Sequence, residues 1–119
     1  MRQAERDLDQ LHVIMRYCRR LDAAVARFGA SFEAFEADTV FQDSCALCII
    51  QMGEAVNRLS DEFVAEHPEI EWSRIYGMRC HLVHGYEMFD AEIVWDAIER
   101  CIPPLRAFCE QQVAADGKR

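Results

Sequence analysis

From Phe41 to Phe63, seven apolar side chains (Phe41, Cys45, Cys48, Met52, Val56, Leu59 and Phe63) recur at steps of three or four residues. That spacing lines one face of a helix for about six turns, whereas in a strand it would scatter the same residues over both faces. The same period runs through most of the chain. Leu8, Leu11, Met15, Cys18, Leu21 and Val25 predict a first helix over about residues 4–28, stopped at Gly29. Ser31 caps a short second helix with Phe32 and Phe35, and Thr39-Val40-Phe41-Gln42 has the capping-box pattern that opens the third. Pro68 ends that third helix. A fourth is expected from near Trp72 toward Gly85. A fifth, capped by Asp90, carries Ile93, Val94, Ala97, Ile98, Cys101 and Ile102 before Pro103-Pro104 forces a kink or a restart. Leu105, Phe108, Cys109 and Val113 continue its apolar face. The expected fold is all-α, a bundle of four to five helices in a single domain over residues 1–119.

Half of the residues are apolar (51%), enough for a real core and too many for a disordered chain. No stretch approaches the length of a membrane span, so no membrane association is expected. Met1-Arg2-Gln3-Ala4-Glu5-Arg6-Asp7 lacks the apolar run of a secretory signal, and the expected location is cytoplasmic. In that reducing compartment Cys18, Cys45, Cys48, Cys80, Cys101 and Cys109 should be mostly free, buried and inert. A formal charge of −8 excludes a globally basic nucleic-acid binder. The charge is uneven, however. Residues 31–71 hold ten acids against Arg58 alone, while residues 1–28 hold six arginines against four acids. The acidic stretch reads either as a solvated face or as a docking face for a basic partner protein.

The predicted fourth helix does not read as scaffold. At about 100° per residue, Ile75, Met78, Leu82, Val83 and Tyr86 form its core stripe, and Arg79 falls in the middle of them. A guanidinium there needs an anionic partner, a cavity or an interface, because an unpaired buried charge is costly. Glu54, off the main stripe of its own helix, is the expected counter-charge. Cys80, His81 and His84 project from a neighbouring sector. Arg79 and His84 stand about 140° apart on a regular helix, so they converge only if the helix loosens at Gly85 or two copies meet across a dyad. Cys45, Cys48, Cys80 and His84 would be acceptable zinc ligands. Cys45 and Cys48 nevertheless lie on an apolar helix stripe, not in the turn of a knuckle, so no metal and no other cofactor is expected.

Arg79-x4-His84-x-Tyr86 resembles the R-x4-H-x-Y signature of the HepT-like toxins of the HEPN superfamily. Flanking residues extend the resemblance: Gln51-Met52-Gly53-Glu54-Ala55, Arg58-Leu59-Ser60, His67-Pro68-Glu69-Ile70-Glu71-Trp72, Gly77-Met78 and Ile93-Val94-Trp95 stand in the family's order. The resemblance implies an all-α, HEPN-like homodimer with the signature helices facing each other. It implies a metal-independent endoribonuclease, the toxin of a toxin–antitoxin system, with Arg79 and His84 as active residues and RNA as substrate. It further implies a small nucleotidyltransferase antitoxin that neutralises the toxin by transferring AMP to Tyr86. The residue after the Arg is commonly Asn or another polar group in the family and is Cys80 here. A thiol replaces an amide poorly, a departure that bears on the strength of the nuclease and not on the fold.

The residue types suit that reaction. Histidine titrates near neutral pH and can take the 2′-OH proton or supply one to the leaving group. Arginine can hold the extra charge on a phosphorane-like transition state. His81 is a candidate second acid or phosphate contact, or a packing side chain. Two other readings stand beside the enzyme. One is a catalytically weak regulatory partner of a nucleotidyltransferase, with Tyr86 as the modified residue. The other is a structural bundle in which Arg79 only secures a dimer interface.

Overall fold

The computed structural model describes residues 2–85 and 89–117, and the described residues form helices and short connections only. Five longer helices carry the bundle, as expected: α1 (Gln3–Phe28), α3 (Thr39–Arg58), α5 (Trp72–His84), α6 (Ala91–Arg100) and α7 (Ile102–Gly117). Two six-residue helices, α2 (Phe32–Ala37) and α4 (Asp61–Glu66), fill the turns on either side of α3. At 1.5 Å per residue α1 is about 39 Å long, which sets most of the 45 Å long dimension of the molecule.

α1 packs along α3 and against α7, and its Leu11, Ile14, Cys18 and Leu21 are sealed. Ile14 takes the deep position expected for Met15, which is only partly buried. α5 lies across α3, and α6 bridges α7 and α2. Phe28, Phe35, Phe41 and Trp95 form one aromatic cluster, with Phe28 stacked on Phe41 at 5.1 Å and Phe35 edge-on to Phe41 at 5.2 Å. Phe63, His67, Trp72 and Phe108 form a second at the other end.

Three details differ from the sequence reading. Asp38, not Thr39, caps α3: its carboxylate accepts from Val40 N and Phe41 N, while Gln42 turns back to donate to Phe35 O and Glu36 O. α3 also ends at Arg58 instead of running to Pro68. The cause is Asp7 of α1, whose carboxylate takes the Ser60 N–H (2.8 Å) and the Ser60 hydroxyl (2.7 Å), so the chain turns out of the helix at Leu59. Ser60 then caps α4 by accepting from Phe63 N. Finally, Val83 and Ile93 belong to the surface, 43% and 48% exposed, because each lies just beyond the arc its helix buries. Pro103 and Pro104 sit in the first turn of α7, where the missing N–H groups have no helical partner to lose, so the chain restarts there.

All six cysteines are free, and all but the half-buried Cys80 are buried. No helix among the described residues is long and apolar enough to cross a membrane.

Candidate active site on α5

α5 can cross α3 closely because position 53 is glycine. A Cβ there would overlap Arg79 Cβ and stand 2.9 Å from Arg79 Cγ. The missing side chain lets Arg79 lie flat against α3, which brings its Nε to Glu54 Oε1. The contact is an ion pair lying off the N–H axis: Nε is buried, yet no aligned hydrogen bond engages it among the described residues. Glu54 is shared, with Arg58 Nη2 4.0 Å from its other oxygen. Two guanidiniums therefore flank one carboxylate, so the cluster of Glu54, Arg58 and Arg79 carries a net positive charge in a chain whose formal charge is −8.

Arg79 is bounded on its other side by Tyr76 and Cys80. Its guanidinium carbon stands 5.8 Å from the Tyr76 ring centre, within cation–π range. Arg79 Nη1 donates to Cys80 Sγ at 3.9 Å. That sulfur contact, and Glu54 after it, raise the Arg79 pKa and keep the group charged. The Tyr76 hydroxyl is pushed up as well, first by its hydrogen bond to Cys80. Cys80 is thus a soft acceptor for Arg79, a role its thiol can fill though it offers less than an amide.

The helix does not loosen before its end. α5 is regular through His84, and Gly85 N closes it by donating to His81 O at 2.8 Å. Arg79, half-buried against α3, and His84, exposed on the last turn, therefore remain about 140° apart within one chain. Of the candidate residues, Glu54, Arg79 and Cys80 come together. His81 does not join them: it lies about 160° round the helix from Arg79, half-buried, with Nε2 sealed and without a hydrogen-bond partner among the described residues. Tyr86 lies outside the described residues. The sequence reading missed Tyr76 and Arg58 as members of the cluster. Their signal was positional: Tyr76 precedes Arg79 by three residues and Arg58 follows Glu54 by four, the two spacings at which helical side chains touch.

The cysteines offer no reactive centre. Burial pushes the Cys45 and Cys109 thiols up to about 12 and Cys18 to about 11. Cys45 and Cys48 are packed in the core beneath α1, and among the described residues no three His, Cys, Asp or Glu side chains are grouped to hold a metal.

The family described as Ribonuclease HepT-like matches residues 14–112. A candidate RNase of Caldanaerobacter subterraneus subsp. tengcongensis is 38% identical over 77 residues, covering 65% of this chain and 69% of that protein. A candidate ribonuclease HepT of Thermococcus cleftensis is 31% identical over 80 residues, 67% of this chain and 73% of that one. A candidate RNase of Methanocaldococcus jannaschii is 29% identical over 73 residues, 61% of this chain and 60% of that one. No solved structure matches the chain significantly.

Proposed function

The chain belongs to the Ribonuclease HepT-like family, and from that premise we propose that it is a cytoplasmic endoribonuclease toxin that cuts RNA without a metal. It works as a homodimer, with Arg79 and His84 of both copies in one cleft. The observation that supports this most is Arg79 itself: a half-buried guanidinium on an otherwise apolar arc, whose charge is met by one off-axis pair with a shared carboxylate and by a weak sulfur acceptor. A phosphate can take over such a loosely held cation with better geometry than Glu54 offers.

An imidazole of the cleft takes the 2′-OH proton, and the 2′-oxygen attacks the adjacent phosphorus. The bond to the 5′-oxygen breaks, that oxygen leaves with a proton from an acid, and a 2′,3′-cyclic phosphate remains. His84 supplies the base or the acid, and Arg79 holds the charge that builds on the non-bridging oxygens. The 140° between them makes a single copy insufficient, which is why the reading requires a dimer. A nucleotidyltransferase partner docks and transfers AMP from ATP to the Tyr86 hydroxyl, releasing pyrophosphate, and the added bulk and negative charge exclude RNA.

The test is cleavage of a mixed-sequence RNA by purified wild type, Arg79→Ala and His84→Ala. Each variant should lose about 100-fold or more. Equal rates in all three proteins would overturn the reading. A wild type that cuts nothing but accepts AMP on Tyr86 would make the chain a regulatory partner and not a nuclease.

A further inference from the structure

We propose that the cavity beside Tyr76 is a nucleobase subsite, taking the base attached to the phosphate at Arg79. This rests on the ribonuclease reading and adds to it where the substrate is gripped. The cavity, about 310 Å³, opens between the end of α3, α4 and the first half of α5. That is at the small end of the range for ligand pockets, roughly 300–1,000 Å³. Val56, Val64, Trp72 and Tyr76 supply apolar wall, and Asn57, Ser73 and the Asp61 carboxylate supply polar rim.

Three observations choose the occupant. The first is adjacency to charge. Tyr76 both lines the cavity and lies under the Arg79 guanidinium, so one ring separates the apolar recess from the cationic cluster. A ligand filling both must join a flat apolar group to an anion across the width of one ring, as a nucleotide does. The second is stiffness. The Tyr76 ring already lies against the Arg79 guanidinium, which in turn donates to Cys80 Sγ, so stacking a base on this ring orders little that is not already ordered. The third is the rim: the Asn57 amide is exposed and has no hydrogen-bond partner among the described residues. It offers one acceptor and two donors to a base edge. Stacking tolerates any base, so Tyr76 supplies affinity and Asn57 supplies preference.

The experiment uses a fluorescein-labelled RNA hexamer whose 2′-hydroxyls are methylated, so that it binds but cannot be cut, alongside the same sequence as plain RNA. Wild type, Tyr76→Phe, Tyr76→Leu and Tyr76→Ala are compared by anisotropy and by cleavage kinetics. Tyr76→Leu keeps the apolar bulk if the alanine variant fails to fold. Tyr76→Phe should stay within about two-fold of wild type, while Tyr76→Leu weakens binding and raises KM about ten-fold with kcat unchanged. Unchanged binding and KM in Tyr76→Leu would overturn the subsite, as would a phenylalanine variant that loses as much as the leucine one. Failure of wild type to bind the methylated hexamer would also overturn it. Tyr76-dependent binding of the methylated hexamer without cleavage of the plain one would sink the ribonuclease reading and leave the subsite standing.

Discussion

Two carboxylates face the interior of this bundle, and the chain treats them in opposite ways. Asp7 on α1 is 5% exposed and receives three donors: Ser60 N at 2.8 Å, Ser60 Oγ at 2.7 Å and Gln3 Nε2 at 3.2 Å. Glu54 on α3 is half-buried and meets Arg79 off axis and Arg58 at 4.0 Å. Asp7 has no cation within ion-pair distance among the described residues, yet it is the better satisfied group, because each hydrogen bond to a charged acceptor contributes about 1.5–3 kcal/mol. Glu54 has two cations and little geometry, and partly exposed ion pairs of that kind are worth about 0–1 kcal/mol. The first arrangement ties α1 to the turn after α3. The second leaves a charge ready to change partners.

The sharpest way to break this contrast is Asp7→Ala, which strands the Ser60 N–H and releases α1 from the α3–α4 turn. It should lower unfolding free energy by about 2–4 kcal/mol, read from urea melts, while the fraction that stays folded cleaves RNA at the wild-type rate. Gly53→Ala comes next. The new methyl overlaps Arg79 Cβ, so α5 must shift away from α3. A loss of about 1–3 kcal/mol should accompany a drop in cleavage of about ten-fold or more; cleavage preserved at reduced stability would mean that Arg79 needs no such placement. Glu54→Gln is smaller. Stability should move by less than about 1 kcal/mol, while RNA binding at low salt should tighten several-fold as a competing carboxylate disappears. Tight binding lost in that variant would make Glu54 a positioning group for Arg79 and not its competitor.

A last effect concerns burial more than pairing, and it is confined to alkaline pH. Cys18, Cys45 and Cys109 have thiols raised to between about 11 and about 12 from 9.0, chiefly by desolvation. Between about pH 9 and 12 the unfolded chain therefore gives up protons that the folded chain keeps. Their contribution is complete below about pH 9, and stability declines as pH rises through that window. Urea midpoints at pH 8 and pH 10 check the sign. At pH 8 a thiol reagent should label Cys80 first and the buried five only on unfolding.

Most of the architecture was legible because periodicity and caps are local signals. Ser31 and Asp90 cap α2 and α6 as read, Gly29 stops α1, and the proline pair opens α7. The break at Leu59 was hidden for a physical reason. Leu59 is buried and Phe63 packs on the second aromatic cluster, so the apolar spacing continues in phase across a turn imposed by a residue 53 positions away. An aspartate on a helix otherwise reads as solvated, which is how Asp7 escaped notice. In the site, Glu54 was reachable from the need for a counter-charge to Arg79. Tyr76 was not, because it stands outside the apolar stripe of Ile75, Met78 and Leu82 and nothing in the sequence marks it as a neighbour of Glu54. Within one chain Arg79 and His84 stay about 140° apart, and one chain's pattern leaves open what would bring them together.

One further consequence follows from the seam between the first and last helices. Asp22 of α1 and Arg106 of α7 pair at 2.6 Å across 84 residues of chain, and Leu105, Phe108 and Cys109 are buried in the same core as Leu11, Cys18 and Leu21. Closure of the bundle is therefore among its most sequence-distant events, and distant contacts form late. On the ribosome, the arginine-rich α1 emerges before α7 and waits with part of its apolar face uncovered until α7 follows. The interval in which this protein is most prone to stick to something else is written into its connectivity, and it ends only when α7 arrives.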